Sequence, residues 1–268
     1  MKIIDAHIHT NFSDKTNLAF TKTHGIDFSW KGLQNELAIN QIEKAIAITT
    51  TIKSPTPGEA DILLDQAQKD FRLKIVCSIH PDFVGKEHLK AVEQLFKQNK
   101  IIGIKIFPGY HPVYPDDQRY FPFYELAGKY NKPVIIHTGD TFGSHYRVKY
   151  AHPLPIDDIA VQFRKTTFVI AHLGNPWIRD ATELVYKNEN VYADISAFCI
   201  GCVDKTPKYI IDDVSYALEA SGRPDKFLYG SDWPLVSMKE YIKIIMKAVP
   251  KKYHKQIFFE NAKRMFNI

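Results

Sequence analysis

The chain has 268 residues, of which 45% are hydrophobic, 24% charged and 13% aromatic, with only 13 Gly and 15 Pro; this excludes a collagen, a coiled coil and a disordered chain. Lys and Arg outnumber Asp and Glu by 35 to 30, a mild and scattered excess that gives nucleic-acid binding no support. No apolar run approaches the roughly 18 residues of a membrane span, the N-terminus is too polar for a secretory signal, and three cysteines are too few and too odd for a disulfide framework, so the expectation is a cytoplasmic protein that binds neither membrane nor nucleic acid.

Short runs rich in Ile and Val alternate with longer amphipathic stretches. In chain order, a strand is predicted over Lys2–His7, then a mixed aromatic and polar loop, Thr10–Lys31, and a helix over Leu33–Glu43. Strand Ala45–Thr50 pairs with helix Gly58–Phe71, and strand Lys74–Ile79 with helix Lys86–Gln98. Strand Ile101–Phe107 leads through a loop, Pro108–Asp117, into helix Asp117–Tyr130. Strand Pro133–His137 leads through a second long loop, Gly139–Pro155, into helix Ile156–Arg164. Three more pairs follow: Thr167–Ala171 with Trp177–Lys187, Val191–Ile195 with Lys208–Ser221, and Lys226–Tyr229 with Met238–Val249. A last helix near Lys251–Phe266 should dock on the barrel and close it. Eight strands in 268 residues give about 33 residues per unit, the economy of an α/β (β/α)8 TIM barrel that uses residues 1–268 as a single domain. A doubly wound sheet is the rival, but no glycine-rich phosphate turn follows the first strand.

The histidines carry the chemical signal. His7, His9, His80, His137 and His172 lie at or just past the C-terminal ends of predicted strands, the face on which barrel enzymes build their sites. His7 and His9, spaced i, i+2, project from one face of an extended strand and can converge on one ion. His137 ends VIIHTG, His172 ends FVIAHLG, and Asp232 follows FLYGS. Any one such histidine reads as a hydrogen-bonded group at a strand end; together with Asp232 they read as a metal site.

DAHIH, IIHTG, AHLG, YGSDWP and the closing ENAKRMF, in that order, resemble the metal-dependent amidohydrolase superfamily. The branch is the amidohydrolase-related one that includes aminocarboxymuconate semialdehyde decarboxylase and pyrone dicarboxylate lactonase. The resemblance implies a divalent metal, in the first place one zinc ion with manganese or iron(II) as substitutes, held by His7, His9, His137 and Asp232. His172 would contact substrate or water, or bind a second metal as in binuclear members. In binuclear members a strand-four lysine is carbamylated and bridges two ions; here Lys105, in GIKIF, occupies that strand. With Ile104 and Ile106 on the other face it should point inward, and a direct salt bridge or a substrate contact is the first expectation, a bridging carbamate with a second metal the other.

The expected reaction is hydrolysis of a small, carboxylated lactone, amide or similar molecule, with Asp232 accepting and returning the proton and His172 orienting the water. A nonoxidative decarboxylase is the alternative. A TatD-type deoxyribonuclease ranks below both, because that family has a glutamate in a GEIG-like fourth strand. The loop after strand five carries His145, Arg147, Lys149 and His152, and a basic loop beside His137 suggests an anionic substrate. Lys105, Tyr110, His145 and Arg147 are the candidate substrate contacts, His111 and His80 weaker ones. Cys199-x-x-Cys202 lacks a thioredoxin-like context and is read as inert, and Asp194 as a capping or hydrogen-bonding residue. A homo-oligomer is compatible with the sequence.

Overall fold

The computed structural model describes residues 1–50, 57–201 and 207–268. Eight parallel strands form one sheet in sequence order: β1 Ile3–Ile8, β2 Ile42–Ile48, β3 Leu73–Ser78, β4 Gly103–Ile106, β5 Val134–Ile136, β6 Phe168–Ile170, β7 Val191–Asp194 and β8 Phe227–Leu228. Main-chain bonds from Ala6 N to Tyr229 O (2.9 Å) and from His9 N to Trp233 O (2.8 Å) bring the last strand segment against the first, giving the expected TIM barrel. The period-2 pattern divides each strand between two cores. Ile4, Ile46, Ile48, Val76, Ile135, Val169 and Leu228 pack inside the barrel, whereas Ile104, Ile106, Val134, Ile136, Phe168 and Ile170 pack outward against the helices.

Among the described residues ten helices surround the sheet: α1 Lys15–Thr23, α2 Trp30–Ile39, α3 Pro57–Lys69, α4 Lys86–Lys97, α5 Phe121–Lys129, α6 Pro155–Gln162, α7 Ile178–Lys187, α8 Lys208–Ser221, α9 Met238–Ala248 and α10 Asn261–Phe266. None is long and apolar enough to cross a membrane among the described residues. The last helix, expected near Lys251–Phe266, is α-helical only over Asn261–Phe266, after a 3-10 turn at Lys251–Tyr253 and a π-helical turn at Gln256–Glu260, and two other departures bear on the site. The helix expected over Leu33–Glu43 ends at Ile39, because Gln41 turns into the left-handed region at φ 55° and breaks the helical bond pattern, so β2 starts three residues early. Thr10–Lys31 is no simple loop, since it contains α1, capped by Asp14, whose side chain accepts from Asn17 N at 2.8 Å.

The C-terminus closes the barrel floor as expected. Ala262 and Phe266 of α10 join the inner-barrel cluster beneath Ile4 and Leu228. Buried Asn261 holds α10 there by donating from Nδ2 to the carbonyls of Pro224 and Phe227, both at 2.8 Å.

Candidate metal centre and active-site cavity

His7 owes its position to a bulge. Asp5 pairs with Ala45 and Ile8 with Ala47, so three residues of β1 span two of β2. Ile8 thereby joins the outer core, and His7 and His9 face the cavity at the C-terminal end of the barrel. Asp5, fully buried, braces the bulge: its Oδ1 accepts from His7 N at 3.2 Å and from Ser231 N at 2.9 Å. Burial pushes the Asp5 carboxyl up to about 7, against the bonds from Ser231 and His7. Gly230 is required opposite, because a Cβ there would lie 2.9 Å from that of His7.

Asp232 follows β8 at φ 64° and His172 follows β6 at φ 57°. Both are left-handed positions, sparsely populated outside glycine and concentrated at functional sites. The turn at Asp232 is held by Asp232 N donating to His7 O at 2.8 Å.

Asp194, at the end of β7 and 1% exposed, organises the imidazoles. It accepts from His7 Nδ1 (3.0 Å), His172 N (3.0 Å) and Ser196 N (3.2 Å), and Ser196 Oγ in turn lies 2.8 Å from His172 Nδ1. With the His7 Nδ1 proton on Asp194, Nε2 keeps its lone pair. His9 behaves alike, since its Nδ1 donates to Ile48 O at 3.1 Å. Both Nε2 atoms then point at one oxygen, Asp232 Oδ1, at 3.5 and 3.2 Å. That oxygen is buried and makes no hydrogen bond among the described residues. At 3.2 Å the His9–Asp232 pair has ion-pair spacing, but a neutral His9 has already given its only ring proton to Ile48. Lone pairs therefore converge on a carboxylate with no proton between them, an arrangement that is repulsive alone and suited to a cation. His7, His9 and Asp232 bring three donor atoms within 4.8 Å of one another, and His7, His172 and Asp194 form a second such group; in the latter the His7–Asp194 bond orients a ring in the way carboxylate–histidine pairs support metal ligands.

The electrostatics agree. Burial lowers His7, helped by Lys105, and lowers His172 to about 3 and His137 far below the usual imidazole range, so these rings are neutral at neutral pH. Burial alone would raise Asp232, but positive charge placed among His7, His9 and His172 outweighs it and holds the group well below the usual carboxylate range, so with the rings neutral the carboxylate calls for a cation from elsewhere. Asp194 is held down in the same way by His7 and His172.

His137 ends β5 beneath Tyr110, with ring centroids 4.7 Å apart. Its Nε2 donates to Asp140 O at 3.0 Å, which leaves Nδ1 as the free lone pair. It belongs to neither three-membered donor group. Lys105 does point into the barrel and is fully buried, with Nζ 3.5 Å from His7 Nε2 and 5.2 Å from the Phe107 ring centroid. Burial brings it down to about 8 against the pull of Asp194 and Asp232. The direct salt bridge expected for it is not found among the described residues; Nζ faces the cavity and His7 instead.

The cavity holds about 320 Å³, the low end of small-molecule sites. His7, His9, Lys105, Tyr110, His137, His172 and Asp232 all line it, so seven of the nine candidate residues converge. His145 and Arg147 do not: both are exposed and outside the cavity wall, because their loop turns Phe142 and Tyr146 inward in their place. Lys149 and His152 are likewise outside the wall, His152 facing Trp177 at 4.6 Å. His80 and His111 pack on each other at 4.3 Å, away from the wall. The Cys199 thiol is pushed up to about 11 by burial and is inert on that ground; Cys202 lies outside the described residues. Asp194 has the hydrogen-bonding role expected of it, with partners in the site itself; sequence reasoning missed Ser196, although its i, i+2 spacing from Asp194 at a strand end is the signal already used for His7 and His9.

The chain belongs to the amidohydrolase family, whose model matches residues 4–268; it is a family of enzymes that includes hydrolases and decarboxylases. No curated protein sequence matches the chain. Among solved structures it resembles a probable 2-pyrone-4,6-dicarboxylic acid hydrolase from Acinetobacter baumannii with citric acid bound, at 17% identity and TM-score 0.71, covering 100% of both chains. It also resembles a 5-carboxyvanillate decarboxylase from Sphingomonas paucimobilis, at 13% identity and TM-score 0.72 over 100% of this chain and 99% of that one. A third is an amidohydrolase from Burkholderia multivorans with bound zinc, at 14% identity and TM-score 0.74 over 100% of both.

Proposed function

We propose that the protein is a metal-dependent hydrolase of a small molecule bearing a carboxylate, with one divalent ion, zinc in the first place, as its cofactor. The observation that carries this reading is Asp232 Oδ1, buried without a hydrogen bond among the described residues and faced by the Nε2 lone pairs of His7 and His9. His7, His9 and Asp232 would hold the ion, joined by Nδ1 of His137. Nitrogen and oxygen donors of this kind suit zinc, and the Burkholderia multivorans relative carries zinc. A bound ion lowers the pKa of a water toward neutrality and polarises a carbonyl oxygen.

The chain's own groups do the rest. Asp232, an anion in a buried setting, accepts the proton of the attacking water and returns it to the leaving group. His172, neutral and fixed by Asp194 and by its Nδ1 proton on Ser196 Oγ, keeps an Nε2 lone pair and orients that water by accepting a hydrogen bond from it. Lys105, the one Lys or Arg on the cavity wall among the described residues, receives the substrate carboxylate. The walls formed by Phe107, Tyr110 and Phe142 exclude water around a flat ring.

Those aromatic walls also favour a second reading, nonoxidative decarboxylation of an aryl acid, the reaction in the name of the Sphingomonas paucimobilis relative. One assay separates the two. Zinc- or manganese-loaded protein is incubated with a panel of carboxylated lactones and of hydroxylated aryl acids, and ring opening and carbon dioxide are both followed. Ring opening without carbon dioxide is the expected outcome; carbon dioxide from the aryl acids assigns the lyase instead. No turnover of either panel at any metal loading would sink the proposal.

A further inference from the structure

Among the described residues, Lys105 is the one Lys or Arg on the cavity wall, and the other charged side chains there besides the metal-centre groups are Asp14 and Asp140, which share the wall with the amides of Asn11, Asn17 and Asn175. We infer that the cavity selects a substrate with a single anionic head and a neutral or cationic distal part that donates hydrogen bonds, and that Asp14 and Asp140 set this selection; the inference rests on the carboxylate-binding reading above.

Both carboxylates have an oxygen to offer. Asp14 Oδ1 accepts from Asn17 N at 2.8 Å as the cap of α1, and Asp140 Oδ1 accepts from Thr141 N at 2.8 Å. No hydrogen bond to the other oxygen of either group is found among the described residues.

Asp14 is brought over the cavity by the packing of α1. Phe20 meets Phe142 edge to face at 5.4 Å. His24 at the other end of α1 lies so close to Gly201 that a Cβ there would be 2.5 Å from the imidazole. The excursion after β1 and the loop after β5 therefore meet across the mouth. Tyr146 and Asp14 both line the cavity there. A dianionic substrate seated with one carboxylate at Lys105 would direct its second toward these two acids, Asp14 half-buried and Asp140 exposed, and like charges there repel. A distal ammonium, amide or hydroxyl would be received. The expected basic loop is thus replaced by its electrostatic opposite, and a dicarboxylated lactone is the wrong substrate shape for this chain.

The test uses the metal-loaded full chain and isothermal titration with benzoate, 4-(aminomethyl)benzoate and terephthalate, for the wild type and for D14N/D140N. Asn caps a helix as well as Asp does, and circular dichroism of the variant checks that α1 is retained. The wild type should bind 4-(aminomethyl)benzoate at least about tenfold more tightly than terephthalate, and the variant should bring the two within about threefold. Terephthalate binding as tightly as 4-(aminomethyl)benzoate in the wild type, or a preference that D14N/D140N leaves unchanged, overturns the inference while benzoate binding preserves the carboxylate reading. Failure of all three to bind overturns the carboxylate reading and the inference with it.

Discussion

Asp194 shows how a residue that need not touch substrate decides what a site can do. Its four-way acceptance from His7, His172 and Ser196 fixes the tautomer of His7 and the backbone of His172 at once. Asn in its place would set an amide N–H against donors, so D194N should weaken zinc binding by about 10–100-fold, measured by competition with a chromophoric chelator. An unchanged affinity would show that His7 is oriented by other means. Asp232 has a different part. Asn keeps its shape but cannot take up a proton, so D232N should cut turnover by at least about a hundredfold. The rate is to be normalised to bound metal measured by atomic absorption, which separates lost proton transfer from lost ligand.

At the level of elements, the strand and helix order was legible because burial on two faces writes a period of 2 and amphipathic packing a period near 3.6 into the chain. What escaped were the places where backbone geometry departs from periodicity. The bulge in β1 depends on pairing with β2, which Asp5, Ala6 and His7 do not encode among themselves. The reversal at Gln41 and the left-handed turns at His172 and Asp232 have no glycine to announce them. Helix α10 lies within the last helix expected near Lys251–Phe266, but its anchor was not foreseen. Asn261→Ala removes both bonds to the buried carbonyls of Pro224 and Phe227 and should cost about 1–3 kcal/mol. Urea unfolding should show a lower midpoint at unchanged slope; a midpoint within error of wild type would mean that apolar packing alone holds the helix.

For the molecule as a whole, a binding site assembled from β1, β5 and the turn after β8 can exist only when the barrel has closed, so metal binding and folding are coupled. At free zinc about 100-fold above its dissociation constant the stabilisation is about 2.7 kcal/mol, which in a chain of this size raises the melting temperature by roughly 5–10 °C. Calorimetry with zinc and with excess chelator measures it. The shift should shrink sharply in His7→Ala, and an equal shift there would place the ion elsewhere.

By itself the sequence determined the barrel and the convergence of His7, His9, His137, His172 and Asp232, because strand periodicity dictates which face a residue takes and a parallel barrel sends every strand end to the same rim. Only the tertiary structure decided which loop charges reach the cavity. His145 and Arg147 lie outside and Asp14 inside because, beyond the strands, side-chain direction is set by long-range packing such as Phe20 on Phe142. No local repeat records such contacts.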